Sequence, residues 1–317
     1  MQLKQASAEF LSGYFSTHQH RSKTKVAYSC DLSQFVTFVG EETALLSVSA
    51  TIIENWAAHL HEERYSPASI RRKMVALRVF CSYWVRKGTL PESPFWRVKL
   101  SFGRIQQLPR ALTEGEMRAL LCQARQNYST EKRMERQLPE RISFREYRAL
   151  RNLALIDLLF ATGMRVGESS ALDVEDFHVE GRVFRVQGKG GRDRLAFIVD
   201  EETVRIQLEH LDARKCFDTD SRALYLNTCR DRLSTQGIAN ILAEFRKQAG
   251  LERHITPHML RHTVATLLLR NGADIRVVQE FLGHASIATT QRYTHITKEH
   301  LIAVLQRLHP SIALRAE

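Results

Sequence analysis

The sequence has no cysteine pair spaced C-x-x-C, and its five cysteines (Cys30, Cys81, Cys122, Cys216, Cys229) are odd in number and scattered. That argues against a disulfide framework and against a cysteine zinc site, and predicts reduced thiols. No run approaches the roughly 18–20 apolar residues of a membrane span. The opening MQLKQASAEFLSGYF lacks the charged-then-apolar order of a secretory signal. The expectation is a soluble cytoplasmic protein with no membrane partner. No 20–50-residue repeat and no low-complexity segment is present. Acidic residues are scarce in one place: residues 64–110 contain Glu92 alone against 11 Lys and Arg.

What is present begins with charge. The chain has 317 residues, a net charge of +11 and a sequence pI of about 9.6, and is 44% hydrophobic. The apolar content suffices for real cores and excludes global disorder, while the length suggests about two domains. A positive balance of this size points to an acidic partner, nucleic acid first. The alternative is a solvated basic face with no partner.

Residues 1–100 read as helices. In SPASIRRKMVALRVFCSYWVRKG, Ser66 suits an N-cap, Pro67 the first helical position and Gly88 a stop. Ile70, Met74, Leu77, Phe80 or Cys81, and Trp84 recur at helical spacing and predict a core stripe. Arg71 and Arg78 fall on another face, seven residues apart, where both could meet phosphates; with Arg72, Lys73 and Arg104 they are the expected nucleic-acid contacts. Residues 101–110 read as a basic linker. A second domain starts from 111, where Thr113 and Glu116 form a capping box. The charged stretch 126–146 is a surface loop or a solvated helix extension. EYRALRNLALIDLLFATG reads as a buried helix ended by Gly163, and short strands follow around 177–199, with QGKGGRDR as a hairpin turn. Helices return from 201. The fold class expected is mainly α, with a small antiparallel β-sheet in the second domain.

Several residues could carry chemistry. In ITPHMLRHTVATLLLRNG, Thr256 is the expected N-cap, Pro257 the first residue and Gly272 the stop. His258 and Arg261 stand at i,i+3 beside the orphan N–H groups of the helix start, an arrangement suited to a phosphate. A capping histidine with a surface arginine is the plain alternative. His262 at i+4 raises zinc, but H-E-x-x-H requires Glu where Met259 stands. Arg165 follows a glycine turn, and Glu168 at i+3 can hold its guanidinium. Lys189 sits between glycines at the hairpin tip, and His284 follows the helix stop Gly283. Tyr293 lies in TTQRYTH. Two arginines, a lysine, two histidines and a tyrosine, with no carboxylate dyad, suit a phosphodiester whose transition state gathers negative charge.

The ordered series TGMRVGE, GKGGRDR, HMLRH, LGHAS and TTQRYTH resembles the tyrosine recombinases, most closely Xer-type recombinases and integrases. The resemblance is specific over about 110–308; over 1–100 it rests on a basic helical domain in the right place. It implies a two-domain C-shaped clamp on duplex DNA, with a core-binding first domain and a catalytic domain over 111–317. It implies that Arg165 and Arg261 hold the scissile phosphate and that His284 adds a hydrogen bond. His258 would help deprotonate Tyr293, Lys189 would protonate the leaving 5′-oxygen, and Glu168 would support from behind. It further implies a 3′-phosphotyrosine, a Holliday junction, a homotetramer on two DNA sites, no metal and no cofactor. The amphipathic tail 298–308 would be exchanged between protomers or pack on its own domain. A type IB topoisomerase, a non-catalytic DNA-binding protein on the same fold, and a metallohydrolase are the competing readings.

Overall fold

The computed structural model describes residues 1–17, 22–99, 111–135, 142–188, 193–217, 219–283 and 297–314. The chain divides into two units, Met1–Gln107 and Leu108–Glu317, each with its own core.

The first unit is helical: α1 (Leu3–Thr17), α2 (Ser22–Val39), α3 (Ala50–Glu62) and α4 (Pro67–Arg86). Ser49 and Ser66 cap α3 and α4 by accepting from Ile52 N and Ser69 N, and Pro67 occupies the first position of α4. Gly88 follows α4 with φ +73°, a conformation that favours glycine. The α4 stripe Ile70, Met74, Leu77, Phe80, Cys81 and Trp84 is buried against Phe10, Phe35 and Trp56. Each such large side chain contributes about 1.5–3 kcal/mol by leaving water.

The second unit is built round α6 (Phe144–Thr162), whose residues from Ala149 to Thr162 are all buried. It packs against α5 (Glu114–Glu135), α8 (Glu201–Lys215) and α10 (Pro257–Arg270). The Thr113–Glu116 capping box starts α5: Thr113 N donates to Glu116 Oε2 at 2.7 Å and Glu116 N to Thr113 Oγ1 at 3.2 Å. The charged stretch 126–146 begins as an extension of α5, and it is not merely solvated. Tyr128 is nearly buried, and its hydroxyl and the Lys132 ammonium (2.7 Å) both engage Glu209 on α8.

After α6 come α7 (Val166–Ala171) and a three-stranded antiparallel sheet, β1 (Phe177–His178), β2 (Val183–Val186) and β3 (Arg194–Phe197), in the order β1-β2-β3. Phe184 pairs with Phe177 on one side and Ala196 on the other; these three side chains are buried. The remaining helices are α9 (Thr235–Gln248), α11 (Ile275–Leu282), α12 (Lys298–Leu308) and α13 (Pro310–Ala313). The tail α12 packs on its own unit: Leu301 and Leu305 are buried in that core, and Asn271 Nδ2 donates to Leu308 O at 2.8 Å. No helix among the described residues is long and apolar enough to cross a membrane.

Candidate active site

Arg165 owes its place to the way α6 ends. Gly163 adopts φ +57° and stops the helix, and an added Cβ there would fall 2.5 Å from Leu282 Cδ2, so both backbone and space favour glycine. Met164 is buried, and Arg165 then caps α7 in extended conformation. The Arg165–Glu168 spacing makes two bonds. Arg165 N donates to Glu168 Oε2 at 2.8 Å, and Arg165 Nη1 to Glu168 Oε1 at 2.8 Å. The Arg165 guanidinium, with 43% of its side chain exposed, is thereby aimed from its own helix start.

Arg261 arrives from α10 and is 7% exposed. Its Nη1 donates to Gly163 O at 2.6 Å and its Nη2 to Leu282 O at 2.8 Å. Two of its five donors therefore anchor the end of α6 to the end of α11. Burial, and then the nearby Arg165 cation, bring the Arg261 guanidinium down to about 10, so it stays charged at neutral pH. His258 lies one turn earlier on α10 and is exposed, in the first turn of that helix, where Met259 N donates to Thr256 O at 2.9 Å. Thr256 occupies the N-cap position without a side-chain capping bond, contrary to the expected cap; Pro257 is the first helical residue as expected.

Glu168 has a third donor that local spacing did not reveal. Arg194, the first residue of β3, extends Nη2 to Glu168 Oε2 at 2.9 Å. Burial opposes ionisation of Glu168, but Arg194 and the Arg165 bonds outweigh it and hold the carboxyl below its ordinary value. Arg194 was missed because its partner is 26 positions away. The only signal was an extra basic residue at the end of GKGGRDR.

Arg165 and Glu168 at the start of α7 and Arg261 from α10 are thus brought together. Lys189, His284, Tyr293 and Arg104 lie outside the described residues. In the first unit, Arg71, Arg72 and Arg78 are exposed on α4. Arg72 also pairs with Asp31, and Arg78 lies over the Phe95 ring at 5.2 Å. Lys73 departs from its expected role. It is 3% exposed, its ammonium donates to Asp31 at 3.0 Å and to Gln34, and it lies over Tyr65. At the i+3 position from Ile70 and one residue before Met74, it falls within the buried face of α4, so it serves the core and not a phosphate.

The model of the Phage integrase family matches residues 132–300, and that of the phage integrase N-terminal SAM-like domain matches residues 8–88. The chain belongs to the phage integrase family. The tyrosine recombinase XerC of Listeria innocua is 31% identical over 312 residues, covering 96% of this chain and 98% of that protein. The tyrosine recombinase XerD of Lacticaseibacillus casei is 32% identical over 290 residues, covering 90% and 92%. A solved lambda integrase tetramer bound to a Holliday junction aligns with a TM-score of 0.66 at 17% identity, covering 93% of this chain and 80% of that one, a likeness of fold. The mainly helical fold with its small antiparallel sheet is that of this family.

Proposed function

We propose that this chain is a site-specific recombinase that breaks and rejoins duplex DNA with Tyr293 as nucleophile. The observation that carries the reading is the convergence of Arg165 and Arg261, brought from two distant helices and held by Glu168, Gly163 O and Leu282 O. Two fixed guanidinium groups suit the non-bridging oxygens of one phosphate. Their attraction grows as the pentavalent transition state gathers charge, so they lower the barrier more than they tighten ground-state binding.

The step balances with side chains alone. The Tyr293 oxygen attacks phosphorus and its proton passes towards His258. The bond to the 5′-oxygen breaks and Lys189 supplies the proton that oxygen needs, while His284 donates to a non-bridging oxygen. The product is a 3′-phosphotyrosine and a free 5′-hydroxyl. A 5′-hydroxyl from a second duplex then attacks the phosphotyrosine, and the tyrosine regains its proton. One phosphodiester replaces another, so the exchange consumes no ATP, and the cations that meet the phosphate are side chains. Two such exchanges pass through a Holliday junction in a homotetramer on two DNA sites. The exposed Arg71, Arg72 and Arg78 of the first unit contribute phosphate contacts there. Donation of α12 to a neighbour would first require release of Leu301 and Leu305 from their own core.

The test uses a nicked duplex carrying a site selected for binding from a random library, incubated in EDTA. A covalent protein–DNA adduct is expected with the native chain and none with Tyr293→Phe. An adduct that persists in Tyr293→Phe would falsify the assignment.

A further inference from the structure

We infer that Arg194 is a positioning residue for strand cleavage, and this rests on the reading above. Its side chain is 15% exposed although it opens the edge strand β3. It turns inwards and meets two other elements. Nη2 donates to Glu168 Oε2 at 2.9 Å, and Nη1 approaches Phe281 O at 3.5 Å near the end of α11. Its stem also lies over Gly283, where an added Cβ would collide with Arg194 Cδ; Gly283 itself has φ +66°. The positive φ therefore favours glycine at 283, and a larger residue there would have to displace the Arg194 side chain.

The consequence is a three-way tie. Through Glu168, Arg194 acts on Arg165, since the same carboxylate holds the Arg165 main-chain N–H and guanidinium. Through Phe281 O and Gly283, it borders the residue immediately before His284. Through its own backbone, paired with Val186, it ties β3 to β2, and Lys189 lies in the sequence between those two strands. Arg261 grips the same helix end one residue on, at Leu282 O. Two arginines from different elements thus clamp successive carbonyls of α11, and both relate that helix end to Arg165. Arg194 has no need to touch DNA: its effect is to fix the mutual placement of groups that do. Misplacement by about 1 Å of such groups lowers rates by on the order of 100-fold.

The test compares Arg194→Ala and Arg194→Lys with the native chain on the same nicked duplex, measuring DNA affinity and the single-turnover rate of adduct formation separately. Arg194→Ala is expected to keep affinity within about threefold and to slow cleavage by on the order of 100-fold. Arg194→Lys, which keeps the charge opposite Glu168, recovers part of that rate. Added guanidinium ion restores cleavage in Arg194→Ala, which a general loss of folding would not permit. Adding Glu168→Ala to Arg194→Ala produces little further slowing, because both act on Arg165 along one path. Cleavage by Arg194→Ala within threefold of native overturns the inference. So does a joint loss of affinity and thermal stability in both variants with no guanidinium rescue, which marks a structural role only. The two readings fail separately. Adduct formation by Tyr293→Phe overturns the nucleophile, whereas an inactive Tyr293→Phe beside a fully active Arg194→Ala overturns the positioning role alone.

Discussion

Removing the Glu168 carboxylate should damage stability as well as chemistry, and the size of the effect follows from its donors. Its side chain is 10% exposed and accepts from Arg165 N, Arg165 Nη1 and Arg194 Nη2. The Arg165 ion pair is partly solvated and is worth at most about 1 kcal/mol. The Arg194 pair is different, because its guanidinium is largely desolvated and Glu168→Ala leaves that charge without its carboxylate. Breaking a buried pair from one side costs about 3–5 kcal/mol, and the residual exposure of Arg194 argues for the lower end, ~3 kcal/mol. For a unit of this size each kcal/mol moves Tm by about 2–4 °C, so calorimetry should show a fall of about 6–12 °C. Glu168→Gln keeps the volume and one good acceptor and should lose roughly half as much. The pH dependence has a definite sign. The folded carboxyl titrates below its ordinary value, so its stabilisation is complete above the unfolded pKa of about 4.3 and is lost as pH falls through the folded value. Native stability should therefore drop more steeply in that acid range than that of Glu168→Gln. A Tm loss under about 2 °C for Glu168→Ala, or parallel acid profiles for the native chain and Glu168→Gln, would refute the buried-pair argument.

Other outcomes concern both units. His210 is fully buried among Tyr147, Tyr225, Arg151 and Arg214; neither ring nitrogen has a hydrogen-bond partner among the described residues, and burial pushes its pKa down to about 3. A folded pKa below the unfolded ~6.5 makes stability fall as pH drops, by ~2 kcal/mol between pH 6.5 and 5. His210→Phe should remove that much of the slope in denaturant titrations at the two pH values, and an unchanged slope would count against a neutral buried imidazole. In the first unit, Arg71→Ala and Arg78→Ala should each weaken DNA binding across sequences and reduce the salt slope by about 1. Lys73→Ala should instead lower Tm by leaving Asp31 short of a buried partner; a reduced salt slope at unchanged Tm would return Lys73 to the DNA surface.

Local pattern carried much of the architecture. The α4 stripe, the Thr113–Glu116 box and the Gly163 stop depend on neighbours within a turn or two, where spacing and backbone sterics decide the outcome. The Arg165–Glu168 pair was legible for the same reason, since i,i+3 residues meet on any helix start. Lys73 shows where this ends. Its neighbours Arg71, Arg72 and Arg78 are exposed, and charge alone does not distinguish the one lysine that α2 covers with Asp31 and Gln34.

Taken by itself, the sequence determined the family, the helical character, the small antiparallel sheet and the residue types suited to a phosphodiester, because motif order and periodicity are properties of the chain. Tertiary structure alone decided that Arg261 spends two donors on Gly163 O and Leu282 O, that Arg194 stands behind Glu168, and that α12 rests on its own core. The physical reason is common to all three. A buried guanidinium must find acceptors, and an apolar helix face must find a partner, but which ones they find depends on elements that only folding brings within reach.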